Sequence, residues 1–476
     1  MSVAKYCLET LSADQMEAAH QASVKILAEK GLVFDSPAAL EIFKKHGAAV
    51  DGKVVRISEK ILTEALVSAP DTYTHLARNE KHNVVTGLGQ KKLVLSSSYG
   101  PVNILDPVEG RRPGRLGDYA DLVKLSQALD IVNMVGGLPV EPSDADPQRK
   151  NRQMLHLALR HTDKAVWGFS SHPEDMEKMF RMVEIAFGRD GGRLWDHPVI
   201  AAPVCPLSPL KYADMAADTI VSYASRRQPL YINSCVLAGA SGPINLMGTV
   251  VLMNTEILGG LVLAQLTGPG TPVVYVPGST VADMRSGSYI CGSPETALIV
   301  MAGIQLARNF YKLPVRVMAG ISDAKAVDYQ AGVETMQNIL TAVLAGAHYL
   351  NNSLGNLEGQ MTTSLEKFVL DAETVGRVVR IMDGFEGQDA DLSVDLIMTE
   401  GFKGNYLMHP STLAGFKSRW RPSLSSWSDW SQWQALNVTN VAELAQRRVR
   451  EILAGGPNLM LDAAADKALA EIAAGK

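Results

Sequence analysis

Eight places along the chain carry side chains able to do chemistry, and each follows or closes a short apolar run. They are Ser98-Tyr99-Gly100, Pro139-Val140-Glu141, Trp167 with Phe169 and His172, Cys205 with Ser208, Asn233 with Cys235, Tyr275 with Ser279, Ser322-Asp323-Ala324-Lys325, and His348 with Asn351-Asn352. The set is rich in aromatics and neutral polar groups and short of charge. It holds no paired carboxylates for general acid–base work, no HExxH and no GxSxG. The loops MAGISDAK (318–325) and NNSLGNLEG (351–359) are weak candidates for a phosphate nest. His172, Cys205 and Cys235 close three consecutive runs and could bind zinc. Small residues filling a crowded rim account for them better, so no metal is expected. Lys325 could form a Schiff base, but a lysine in a polar surface loop is the commoner case. Several aromatics around one opening suit a cationic ammonium ligand.

The elements that must position these residues have a regular rhythm. The runs are LVLSSS (93–98), IVNMVGG (131–137), AVWGFSS (165–171), VIAAPVC (199–205), LYINSCV (230–236), PVVYVPG (272–278), PVRVMAG (314–320) and HYLNNS (348–353). Amphipathic helices separate them: Asp118–Leu129, Arg149–His161, Pro173–Phe187, Lys211–Arg226, Asn245–Leu266, Pro294–Tyr311 and Gly332–Ala345. Short apolar strands alternating with helices predict a parallel sheet covered by helices, and a count of eight predicts a (β/α)8 TIM barrel. An open doubly wound sheet would show GxGxxG after its first strand, and none is present. In such barrels the active site lies at the C-terminal ends of the strands, which is where the candidates fall.

Three segments are expected. Residues 1–91 form an N-terminal helical and β cap, with a capping box at Ser12 and Gln15 and a helix stop at Gly31. Residues 92–360 form the barrel. Residues 361–476 form a helical extension packed on it, beginning with a helix over Ser364–Arg380 and carrying Trp420, Trp427, Trp430 and Trp433. The 476 residues are 46% hydrophobic and carry a net charge of −5, which argues against nucleic acid as partner. The most apolar helix is interrupted by Asn254, Glu256 and Gln265 and reads as a core helix, with no membrane span. Glu256, deep in that helix, is expected to be structural. Cys7, Cys205, Cys235 and Cys291 lie far apart, and a cytoplasmic protein without disulfides is expected.

Several stretches together resemble the trimethylamine methyltransferase family of corrinoid-dependent enzymes. They are LSSSYGPVNILDPVEGRRPG (95–114), GASGPINLMGTVVLMNTEILGGLVLAQLTGPGTPV (239–273), SDAKAVDYQAGVET (322–335), AGAHYLNNSLGNLEG (345–359) and the aromatic tail GFKGNYLMHPSTLAGFKSRWRPSLSSWSDW (401–430). Their order and spacing carry the resemblance. The family's β/α barrel agrees with the independent strand count. Its founding members use pyrrolysine, and this sequence has only standard residues, so it resembles the non-pyrrolysine branch.

That resemblance implies methyl transfer from a quaternary amine to the cob(I)alamin of a corrinoid protein docking at the barrel mouth. Glycine betaine is the first expected substrate, ahead of proline betaine, carnitine and γ-butyrobetaine. It also directs roles onto residues. Tyr99, Trp167, Phe169 and Tyr275 become candidates for an ammonium cage, and strand alternation would put Trp167 and Phe169 on one face. His348 and Asn351 become donors to the substrate carboxylate, with His172 and Asn233 as weaker candidates. Asp323, Gln330 and Glu334 are expected to order the seventh loop. The tryptophans would invite a partner, a second copy of the chain included.

Overall fold

Each of the eight apolar runs contains one short parallel strand. A computed structural model describes residues 8–188, 194–385, 390–438, 440–455 and 459–475; Cys7 lies outside the described residues. The strands are β1 (Val94–Leu95), β2 (Met134–Gly136), β3 (Ala165–Trp167), β4 (Ile200–Val204), β5 (Leu230–Ser234), β6 (Val273–Pro277), β7 (Arg316–Met318) and β8 (Tyr349–Asn351). A helix follows each: α1 (Leu116–Ala128), α2 (Lys150–His161), α3 (Pro173–Phe187), α4 (Asp214–Ala224), α5 (Leu246–Thr267), α6 (Pro294–Gln305), α7 (Tyr329–Leu344) and α8 (Leu365–Asp383). Strands β2 to β6 form one parallel sheet and β7, β8 and β1 another. Isolated parallel bridges join the sheets at both edges, Tyr275 to Val315 and Ser96 to Met134.

Local chemistry explains the boundaries. Ser293 caps α6 and Pro294 fills its first position, Asp328 caps α7, and Ser364 caps α8. The expected helix over Lys211–Arg226 starts later, at Asp214, because Lys211 and Tyr212 pair in parallel with the N-terminal strand Leu32–Phe34. α5 alone among the described helices is long and apolar enough to cross a membrane, and 78% of that apolar window is buried within the chain.

The alternation of each strand divides the core in two. One side packs on the helices in a large cluster. The other forms a separate cluster of Val94, Met134, Ala165, Trp167, Ala201, Tyr231, Val274, Val276 and Tyr349, drawn from seven of the eight strands. The N-terminal hairpin of Thr72–His75 and Val84–Gly87 joins this second cluster through Tyr73, Ala77 and Val84. Its flanks bond to residues just ahead of β3, β4 and β8: Asn79 N–H to the Asp163 carbonyl, Leu76 N–H to that of Pro198, and the Gln90 amide to that of His348. The hairpin therefore covers the N-terminal ends of the strands, and the C-terminal ends are left for the site.

Beyond α8 the tail divides. Glu373 on α8 accepts hydrogen bonds from Leu424 N–H and the Ser425 hydroxyl, and the Arg377 guanidinium lies 4.9 Å from the Trp420 ring. Trp427 and Trp430 stay exposed. The short helices Val394–Glu400, Pro410–Phe416 and Trp430–Ala435 bury no side chain.

Candidate active site

β7 brings a charge into the second cluster. Arg316 is 2% exposed, and its guanidinium carbon lies 5.4 Å from the Trp167 ring and 5.7 Å from that of Tyr231. Its Nε and Nη1 have no hydrogen-bond partner. Burial pulls its pKa down; the groups that act most on its charge are Tyr349, Tyr231, Cys205 and Cys235, none of them a carboxylate. A guanidinium remains charged even so, and a buried one without an acid is costly. Such a group is poised to take an anion from outside the chain. Arg316 is inconspicuous in the sequence because it sits within PVRVMAG, whose apolar pattern predicts a strand. The available signal was a charged residue between two valines, at a position that alternation turns away from the helices.

Around Arg316 the aromatics are fixed by one another. Trp167 Nε1 donates to the Tyr349 hydroxyl at 2.9 Å, and its ring lies 4.3 Å from Tyr231. The Tyr73 and Tyr231 hydroxyls pair at 2.7 Å. Tyr99, just past β1, stands 6.3 Å from Trp167. Its backbone is clamped by Asn352, whose Oδ1 accepts from Tyr99 N–H at 3.1 Å and whose Nδ2 donates to the Tyr99 carbonyl at 2.9 Å. Asn352 adopts φ 52°, a left-handed conformation that Asn tolerates. Gly137 gives Tyr99 its space, since a Cβ there would come within 2.9 Å of the ring.

Asn351 Nδ2 donates to Ser96 Oγ at 2.9 Å and to the Ser97 carbonyl at 2.5 Å, while its Oδ1 is buried without a partner. Asn233 Oδ1 is likewise unpartnered. Asn233 and Asn351 thus hold two unpartnered amide oxygens at or near the ends of β5 and β8, while Arg316 opens β7, level with Tyr349, and its bare guanidinium lies among the aromatics between the strands.

Three expected residues do not join this group. Tyr275 lies on the helix side of β6: its hydroxyl donates to Asn254 Oδ1 on α5 at 3.0 Å and its ring stacks 6.5 Å from Tyr311, while its neighbours Val274 and Val276 face the other way. Phe169 belongs to the helix-side cluster although Trp167 does not. β3 ends at Trp167, so strand alternation does not extend to Phe169. His348 precedes β8 and lies at the end that the hairpin covers. Its Nδ1 accepts from Val315 N–H at 3.1 Å, and burial, aided by Arg308, holds its pKa down to about 3.

A neutral ring at that end cannot serve as an imidazolium for a substrate carboxylate. Replacing His348 with Ala is expected to leave the substrate KM within about twofold and to cost ~1–3 kcal/mol of stability, by orphaning a buried N–H. Urea unfolding beside steady-state kinetics checks both. Because the folded ring stays deprotonated, this group weakens the fold as pH drops below the unfolded value near ~6.5. The variant should lose that part of the acid sensitivity.

His172 is exposed at the start of α3. Asp323 accepts from Cys291 N–H at 3.0 Å and Gly292 N–H at 2.8 Å; Glu334 accepts from Ser322 Oγ at 2.6 Å, Asp323 N–H at 2.8 Å and Gln330 Nε2 at 2.9 Å. These bonds tie the loop after β7 to α7 and to the segment just ahead of α6. Lys325 is exposed and donates to the Asp323 carbonyl at 2.6 Å. Glu256 ties the loop after β4 to the end of β5, accepting from Ser208 Oγ at 2.8 Å, Leu210 N–H at 2.8 Å and Ser234 Oγ at 2.6 Å, with its pKa raised by burial.

Comparison with known proteins converges on one family. The chain is 36% identical over 416 residues to a glycine betaine methyltransferase of Desulfitobacterium hafniense (strain Y51), covering 87% of this chain and 86% of that protein. It is 32% identical to a proline betaine:corrinoid methyltransferase of Eubacterium limosum, covering 83% of each. Among solved structures, the monomethylamine methyltransferase of Methanosarcina barkeri superposes with a TM-score of 0.51 over 95% of this chain and 90% of that one; at 14% identity this likeness concerns the fold. The model of the trimethylamine methyltransferase family matches residues 3–476, and the chain belongs to that family.

Proposed function

We propose that this protein moves one methyl group from a quaternary amine, glycine betaine first, to the cob(I)alamin of a partner corrinoid protein and releases dimethylglycine. Arg316 carries the reading: a buried guanidinium lacking an acidic partner, set against aromatic faces, matches a small molecule bearing a carboxylate at one end and a cation at the other. The relatives named for glycine betaine and proline betaine support the same substrate class.

A quaternary nitrogen has no proton and no lone pair, so neither a general acid nor a base can act on it. When a methyl group leaves, the nitrogen keeps the bonding pair and becomes a neutral amine. Cob(I)alamin supplies the nucleophile that takes the methyl. The work of this chain is positioning. Arg316 fixes the carboxylate, Trp167 and Tyr99 flank the ammonium head, and the unpartnered Oδ1 atoms of Asn233 and Asn351 receive its polarised methyls. The positive charge on nitrogen declines toward the transition state, so these groups must hold the head without gripping it.

The acceptor has to reach the strand ends from outside. Leu207, Ile244, Met284 and Met361 are exposed on the loops after β4, β5, β6 and β8 and suit a docking protein. The two bridges between the parallel sheets support closure of the eight strands into a barrel over residues 92–360, with 1–91 as its cap and 361–476 as its extension. The unpaired thiols of Cys205, Cys235 and Cys291 suit a reducing cytoplasm.

The test is the appearance of methylcobalamin absorbance when the protein, cob(I)alamin and a panel of glycine betaine, proline betaine, carnitine and γ-butyrobetaine are mixed. Glycine betaine is expected to react fastest. Reaction with another member alone would move the substrate, and reaction with none would overturn the proposal. Thermal stabilisation by an amine without methyl transfer would indicate a binding protein.

A further inference from the structure

Two cysteines end neighbouring strands beside Arg316, and positioning as described gives neither a task. Pro203 pairs with Tyr231 and Val204 with Ile232, so Cys205, just past β4, comes level with Asn233, and Cys235 follows directly on the end of β5. Ala201 and Tyr231 belong to the same inner cluster, and alternation along β5 carries that side to Asn233, whose amide reaches Cys205 just past the end of β4. The Asn233 amide donates to Cys205 Sγ at 3.5 Å, and Cys235 is near enough to lower the Cys205 pKa. Cys205 is exposed at the strand end and Cys235 is half-buried. Two unsatisfied groups point to a ligand here: Asn233 Oδ1, in a side chain 7% exposed, and the Nε and Nη1 of Arg316.

We propose that Cys205, supported by Cys235, contacts the ammonium head of the substrate and carries the negative charge that balances it. The proposal rests on the reading of the substrate as a quaternary amine. Such a head cannot be hydrogen-bonded through nitrogen; it is held by charge, by aromatic faces and by dispersion, and a large polarisable sulfur offers the first and the last. The Cys235 thiol, then Asn233 and the Arg316 charge, move Cys205 below the ordinary thiol range, while Cys205 and burial move Cys235 well above it. The pair therefore loses one proton, from Cys205. The other groups that share this field are Tyr99, Tyr212 and Tyr289, which burial keeps protonated, and Glu256, which acts on Cys235. Because the charge on nitrogen falls as the methyl departs, an anion beside it favours bound substrate more than the transition state. The consequence is that removing the anion raises KM and, by a smaller factor, raises kcat.

The deciding experiment labels the wild-type protein with iodoacetamide, with and without saturating glycine betaine, and follows the Cys205 peptide by mass spectrometry. Turnover is measured in parallel between about pH 6 and pH 9 for wild type and Cys205→Ser. Glycine betaine is expected to slow labelling of Cys205 by about tenfold or more. The wild-type KM should fall as pH rises and Cys205 ionises. Cys205→Ser should have a KM raised by about tenfold and indifferent to pH, with kcat equal to that of wild type or raised by less than about tenfold. Equal labelling rates with and without the substrate, while turnover continues, would overturn the role of Cys205 and leave methyl transfer standing. Failure to turn over any quaternary amine would overturn the function and this inference with it.

Discussion

Replacing Arg316 with Met is expected to cripple the use of glycine betaine while making the free protein more stable. The guanidinium is buried, and Nε and Nη1 bond to nothing. A charge-assisted, partly bidentate contact with a carboxylate in such a place is worth ~2–5 kcal/mol, so kcat/KM should fall by about 30- to 5,000-fold. The stability change runs the other way. Methionine of similar length packs against Trp167 and Tyr231 without the desolvation penalty of an unpaired charge, and the gain should be ~1–3 kcal/mol. Two measurements check the pair of effects: steady-state kinetics, and urea unfolding without substrate. A third separates carboxylate binding from general damage. Saturating glycine betaine should raise the melting temperature of wild type, by about 2.7 kcal/mol of linkage at a hundred times Kd, and leave that of the variant unmoved. A variant that bound and turned over glycine betaine normally would remove Arg316 from the site. A variant less stable than wild type would mean that the charge has a partner within the fold.

The positions of the eight strands were legible because each is a short apolar run between a helix and a turn, and burial of both faces leaves little else for such runs to do. The sequence points to a candidate site at the strand ends, and the structure brings only some of its expected members together. Tyr99 lies just past β1, Trp167 closes β3 and Asn351 closes β8. Tyr275 was misplaced because a run such as VVYVP carries apolar residues on both faces and does not announce which one meets the helices. Phe169 was misplaced because the end of β3 at Trp167 depends on tertiary pairing, and the alternation stops with the strand. His348 was assigned to the wrong end: it precedes β8, and the run HYLNNS does not say where pairing begins. Asn352 stands beside Asn351 in the run HYLNNS, and nothing in the sequence gives it a role of its own. Its left-handed turn lets it hold the Tyr99 backbone, a contact 253 residues away in sequence that no local pattern encodes.

The loop after β8, which begins with Asn352, depends on a second buried charge, and here the expected effect is on the fold. Lys367 and Asp371 on α8 form an ion pair at 2.7 Å with side chains only 2% and 6% exposed. Lys367 Nζ also donates to Thr335 on α7, and Asp371 Oδ2 accepts from Gly355 N–H at 2.7 Å, pinning the loop to the helix. Lys367→Met removes one partner and strands the other, which should cost ~3–5 kcal/mol in urea unfolding. Burial already raises the Asp371 pKa in spite of Lys367. A carboxyl whose folded pKa lies above its unfolded value binds protons more tightly when folded, so its cost grows as pH rises and shrinks as pH falls. Without Lys367 the pKa should climb further, and the deficit of Lys367→Met against wild type should narrow as pH is lowered from about 8 to about 5. Adding Asp371→Leu should recover most of the loss, short of the one orphaned Gly355 N–H, because an apolar pair replaces the charged one. A double variant no more stable than Lys367→Met would place the damage in lost packing around the lysine stem. The same double variant tests the link to the site: with Gly355 no longer held, the Asn352 clamp on Tyr99 should loosen. KM for glycine betaine should then rise even though the fold has been restored.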